Sequence, residues 1–124
     1  MEPNMPTNTT KVLIEHYVHA LLNAETDTLR QCIADEISVD SGTTIIHTAD
    51  DFTAMCRVMP PLKSWAILDI FTSDSGGAVL YEAVNTHTGD RQRIAEFLTV
   101  SNGKITHSRS VYMTFPSLGM VLDD

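Results

Sequence analysis

QRIAEFLTVSNGKITHSRSVYMT, residues 92–114, alternates apolar and polar side chains on both sides of Asn102-Gly103. Alternation is the period of a half-buried strand, and Asn-Gly supplies the positive φ angles of a two-residue hairpin. The stretch therefore predicts two long antiparallel strands, Gln92–Val100 and Ile105–Thr114. Upstream, Trp65–Thr72 and Ala78–Thr86 have the same β-branched and aromatic character, with turn residues at Asp74-Ser75-Gly76-Gly77 and Thr88-Gly89-Asp90. Together they predict a four-stranded meander.

The period before Lys63 is helical. Leu13, Ile14, Tyr17, Val18, Leu21 and Leu22 follow the i, i+3, i+4, i+7 pattern, predicting a helix from Thr10 to Ala24 capped by Thr9 or Thr10. A second, short helix follows Thr26 or Asp27 and buries Leu29, Cys32 and Ile33. Two short strands, Ile37–Asp40 and Thr43–Ile46, flank a Ser41-Gly42 turn. Thr48 is the N-cap of a third helix with Asp50 and Asp51 near its positive dipole end. That helix buries Phe52, Met55 and Cys56 and stops at Pro60-Pro61. Residues 1–8 read as a loose arm, 9–115 as one domain, and 116–124 as an apolar tail.

At 124 residues the chain holds one core. Its 16 acidic against 8 basic residues give a net charge of −8 without a Lys/Arg cluster, which repels phosphate backbones and argues against nucleic acid. No apolar run approaches the ~20 residues of a membrane span. Met1–Pro6 lacks a basic and an apolar leader segment, so a cytoplasmic location with reduced Cys32 and Cys56 is expected. His16 and His19 share a helix, but they have no third ligand nearby and His47, His87 and His107 are scattered, so no metal site is read. Phosphate loops, dinucleotide fingerprints and nucleophile elbows are absent from the sequence, and no cofactor is implied.

Strand parity singles out one residue. Glu96 shares a face with Ile94, Leu98 and Val100, where a carboxyl is desolvated and its pKa rises unless a partner such as Arg91, Arg93 or Arg109 reaches it. Val79, Tyr81, Ala83 and Asn85 share a face of the preceding strand, and Ser108, Ser110 and Tyr112 one face of the last. The other sheet face carries Leu80, Val84, Ala95, Phe97 and Val111. That is enough apolar surface to predict a homodimer through it.

The element order resembles the nuclear transport factor 2-like group, which includes SnoaL-like cyclases and ketosteroid isomerases. Local wording is similar too: Ala34-Asp35-Glu36-Ile37-Ser38-Val39-Asp40 after the second helix, Ile46-His47-Thr48 before the third, and Gly103-Lys104-Ile105 opening the last strand. The resemblance spans residues 10–115. It implies an α+β, cystatin-like roll, a cone-shaped curved antiparallel sheet closed by three N-terminal helices around a pocket for a small apolar molecule. Aligned with the isomerases, Tyr17 falls on their catalytic tyrosine and Glu96 on their oxyanion-hole acid, a protonated carboxyl of the kind known in ketosteroid isomerase. The base position falls on Ser41, and a one-residue deletion brings Asp40 into it. Tyr17, Glu96 and Asp40 are thus the catalytic candidates. Tyr81, Asn85, Ser108, Ser110 and Tyr112 are the candidate substrate-binding wall. The implied chemistry is enolate stabilisation and proton transfer on an apolar carbonyl compound, with non-catalytic ligand binding or a dimeric accessory role as the alternative.

Overall fold

A 17-residue helix, α1 (Pro6–Leu22), opens the part of the chain described by the computed structural model, which comprises residues 6–59 and 62–115, with side chains from Thr9 onward. It starts four residues before the expected Thr10, so Thr9 and Thr10 lie inside it instead of capping it, and Pro6–Asn8 belong to the helix and not to a loose arm. Proline is compatible with a first helical turn because the amide it lacks has no partner there. Ile14, Tyr17 and Val18 are fully buried, and Ala24 at φ 57° ends the connection to the next helix. Each such side chain stabilises the fold by about 1.5–3 kcal/mol relative to exposure.

Helix α2 (Thr26–Cys32) buries Leu29 and Cys32. Ile33, expected on that helix, instead begins strand β1 (Ile33–Asp40), which is longer than the expected Ile37–Asp40. β1 runs parallel to the last strand of the sheet, and that pairing recruits the extra residues. β2 is reduced to Ile45–Ile46, since Ser41 to Thr44 form a tight turn closed by the Ser41 amide donating to the Thr44 carbonyl at 3.0 Å. Helix α3 (Ala49–Arg57) starts as expected, with Thr48 Oγ1 accepting from the Asp51 amide at 3.1 Å. Its buried face is Phe52, Thr53 and Cys56, whereas Met55, expected in the core, is 37% exposed. The Pro60-Pro61 stop lies outside the described residues.

The meander comprises β3 (Leu62–Ser73), β4 (Gly76–Asn85), β5 (Arg91–Ser101) and β6 (Lys104–Phe115). Sheet order is β2-β1-β6-β5-β4-β3, with every pairing antiparallel except β1–β6. Asn102 and Gly103 both have positive φ, as the hairpin between β5 and β6 requires. Gly76 and Gly77 are strand residues, not turn residues. A Cβ on Gly77 would lie 2.4 Å from the Phe71 carbonyl oxygen, so only glycine fits where β4 meets β3. Among the described residues no helix is long and apolar enough to cross a membrane.

The helices pack on one face of the sheet. Val79, Tyr81, Glu96, Leu98 and Ser108 point into that core beneath α1 and α3. The opposite face presents Phe71 at 70% and Phe97 at 51% exposure, together with exposed Val111 and Met113. Both cysteines are free and buried. Phe115, which ends β6, lies under the guanidinium groups of Arg91 and Arg93, 4.7 and 5.5 Å from its ring centre. The rest of the apolar tail lies outside the described residues.

Candidate functional site

Glu96 is 3% exposed and sits at the centre of a cluster of hydroxyl groups. Tyr17, projecting from α1, donates from its phenol to Glu96 Oε2. Ser108, on β6, donates to the same oxygen at 2.5 Å. Tyr81, on β4, donates to Oε1 at 2.9 Å. The arrangement follows from register. Val79 and Ser110 are the cross-strand partners of Glu96, so Tyr81 and Ser108 occupy same-face positions one pleat away and reach it diagonally. α1 lays Tyr17 across the same face, and its ring stacks on Phe52 of α3 with centroids 6.4 Å apart.

The arginines named as possible partners of Glu96 do not reach it. Arg91 and Arg93 pair with Glu82 at 3.7 and 2.6 Å, and Arg109 pairs with Asp40 at 3.4 Å, all on the other sheet face. With no cation beside it, burial raises the Glu96 pKa, and the hydrogen bonds from Ser108, Tyr17 and Tyr81 oppose that rise without cancelling it. Burial, followed by the nearby Glu96 charge, pushes the Tyr17 and Tyr81 phenols upward, so both hold their protons. The Cys56 thiol is pushed up to about 11 by burial and then by Glu96, leaving it protonated and unreactive.

A cavity of about 250 Å³ lies next to this cluster at the open end of the cone. Leu21, Leu22, Met59, Leu62 and Ile94 make it apolar, and Tyr81, Gln92, Ser110 and Tyr112 give it polar edges. Tyr81 belongs to both the cavity wall and the hydroxyl cluster. Glu96 and Tyr17 stand behind it. A polar group entering the cavity therefore meets Tyr81 and Ser110 before it meets the carboxyl.

Of the sequence candidates, Tyr17, Glu96, Tyr81 and Ser108 converge in one cluster, while Ser110 and Tyr112 line the cavity. Asp40 and Asn85 go elsewhere. Asp40 pairs in register with Arg109, which places it on the outer face, and its Oδ1 accepts from the Gly42 amide at 2.9 Å. Its predecessor Val39 takes the inward position, opposite Ser108. Asn85 is used by its own turn, where Oδ1 accepts from the His87 and Thr88 amides at 2.8 and 3.0 Å. Phe52, Cys56, Leu21, Leu22, Met59 and Leu62 were not marked as site residues by the sequence. Their helical periodicity or terminal placement reads simply as core. Among the described residues no group of three or more His, Cys, Asp or Glu is placed to hold a metal ion.

No family model matches the sequence, and no curated protein matches it. Solved structures do match. A Kribbella flavida protein is 23% identical over 86% of this chain and 88% of its own, with a TM-score of 0.76. A second Kribbella flavida protein, provisionally called a ketosteroid isomerase, reaches a TM-score of 0.79 at 14% identity, covering 86% and 79%. An LEH-like epoxide hydrolase of M. tuberculosis gives 0.76 at 16% identity, covering 88% and 86%. The chain therefore has the nuclear transport factor 2-like, α+β cone fold.

Proposed function

We propose that this chain is a small-molecule pocket protein that binds a compact apolar molecule carrying one polar group. The observation that supports it best is the apolar cavity at the open end of the cone with a Tyr81–Glu96–Tyr17 hydroxyl–carboxyl relay behind one wall. Apolar walls with a few convergent polar groups are what a ligand pocket needs. The test uses octanol as probe. It is expected to raise the urea midpoint with the logarithm of its concentration, a stabilisation of about 2.7 kcal/mol when free octanol is a hundredfold above its dissociation constant. Ser110→Leu, which fills the wall, is expected to abolish the shift. A midpoint that octanol leaves unmoved, or moves equally in Ser110→Leu, rejects the pocket.

A second reading is a cofactor-independent isomerase or cyclase. It draws support from Glu96, whose pKa burial raises so that its protonated form could donate to an enolate oxygen, with the Tyr17 phenol bonded to the same carboxyl. The substrate oxygen would have to replace the Tyr81 hydroxyl at Glu96. The proton would have to be taken by a group other than Asp40, which faces away. Exchange of the α-protons of cyclohexenone into deuterium oxide, followed by NMR, tests this. Catalysed exchange that drops on the order of 100-fold in Glu96→Ala, and far less in Ser110→Ala, supports it. Equal losses reject the donor role.

The partner proposed for the outer face is a second copy of the chain. Phe71, Phe97, Val111 and Met113 are exposed on that face, which also carries the Asp40–Arg109 and Glu82–Arg93 ion pairs. Sedimentation at micromolar concentration should give a dimer, converted to monomer by Phe97→Lys. A monomeric parent protein rejects it.

A further inference from the structure

Two cations line the cleft beside the apolar cavity, with no ion-pair partner among the described residues. The cavity shares Leu21, Leu22, Met59 and Leu62 with a wider cleft of about 520 Å³, so the two adjoin. The outer cleft adds Arg57 at the end of α3, Lys63 at the start of β3, Asn23 and Trp65. Among the described residues no acidic side chain lines either part, although the chain carries 16 acids.

The placement of the other basic residues makes this informative. Of the eight, Arg30 pairs with Asp35 at 2.6 Å, Arg91 and Arg93 with Glu82, and Arg109 with Asp40. Lys104 donates to the Gln31 carbonyl at 2.5 Å. That leaves Lys11, Arg57 and Lys63 with neither an ion pair nor a side-chain hydrogen bond among the described residues, and two of these three line the same cleft. The C-terminal end of α3 favours a cation at Arg57. It gives no reason for Lys63, which comes from a different element. Trp65 is fixed beside them, its indole donating to Asn23 Oδ1 at 2.8 Å and its ring edge-on to His19.

We infer that the pocket selects amphipathic monoanions, with the apolar body in the inner cavity and a carboxylate at the mouth between Arg57 and Lys63. This rests on the pocket proposed above and assigns the class of its ligand. The anionic group stays at the exposed rim, where it keeps much of its hydration, so charge pairing is not offset by a large desolvation cost. Glu96 and its hydroxyl partners meet the other end of the ligand, which is apolar or carries a neutral oxygen.

The test compares octanoate, octanol and octylamine, three ligands with one tail and three charges. Binding is read by fluorescence of Trp65, the only tryptophan in the chain, which lines the cleft. Octanoate is expected to bind roughly tenfold more tightly than octanol, the size two exposed charge pairs supply, and octylamine more weakly than both. High salt should shrink the octanoate preference. The double variant Arg57→Gln/Lys63→Gln should lose that preference and leave octanol binding unchanged. Lys11→Gln, which lowers the net charge at a distance from the cleft, should keep it. Equal binding of octanoate and octanol, or a preference that survives in the double variant, overturns the anion assignment while leaving the pocket standing. Failure of all three probes to bind overturns the pocket and the assignment together.

Discussion

Replacing Glu96 by glutamine removes an ionisable group from the core while keeping its shape. The three hydroxyls around Glu96 favour its charged form, and burial disfavours that form more strongly, so the folded-state pKa lies above the usual value. In the unfolded chain the same carboxyl titrates near pH 4.3. Between those two values the native protein holds a proton that the unfolded chain releases, and stability falls as pH rises. The slope within that window is about 1.4 kcal/mol per pH unit for a single group. Below pH 4 both states are protonated, and Glu96→Gln should lie within about 1 kcal/mol of the parent, since one neutral hydrogen-bonding group replaces another. Urea denaturation of both proteins from pH 4 to 8, extrapolated linearly, isolates the effect, because the other acids contribute equally to both curves. The parent is expected to lose stability relative to Glu96→Gln as pH rises above about 4.3 and to level off once Glu96 ionises in the native state. Parallel curves would mean that its titration does not change on folding. A parent that gains on the variant with rising pH would mean that the three donors outweigh burial, and either outcome refutes the reasoning.

Tyr17→Phe deletes one donor to Glu96 and should cost about 1.5–3 kcal/mol above the Glu96 pKa and less below it, measured by the same denaturation series. Asp40→Asn breaks an outer-face pair with the partly exposed Arg109 and should change stability by no more than about 1 kcal/mol, while octanol binding stays as in the parent. A loss of binding in that variant would place Asp40 in the pocket after all. Gly77→Ala forces a Cβ against the Phe71 carbonyl and should lower stability by about 1–3 kcal/mol; an unchanged thermal midpoint would mean that β3 and β4 separate easily at that point.

Much of this architecture could be read from periodicity. The Asn102-Gly103 hairpin, the inward Glu96 and the buried stripe of α1 are local consequences of a two- or 3.6-residue period, and the structure has them where the pattern put them. What escaped depended on pairing between distant segments. Ile33 looks helical beside Leu29 and Cys32, yet the parallel partner β6 draws it into β1. Gly76-Gly77 resembles a turn, and only the closeness of β3 shows why glycine is needed inside a strand. Asp40 turned on a single position of register, and the β1–β6 pairing puts Val39 inside and Asp40 beside Arg109. Tyr81 and Ser108 were visible as same-face residues. That both would donate to Glu96 follows from diagonal reach across two strand pairs. The mouth of the cone, built from the ends of α1 and α3 and the start of β3, has no sequence period at all, so the two cations there, without an ion pair among the described residues, come to light only in three dimensions.

The most direct test of the pocket is a crystal of the protein soaked in octanol. Ligand density is expected between Leu21, Leu22, Ile94 and Tyr112, with Glu96 still bonded to Tyr17, Tyr81 and Ser108 behind the wall. Crystals in which that space is filled by protein side chains, or in which octanol sits only on the outer sheet face, would contradict it.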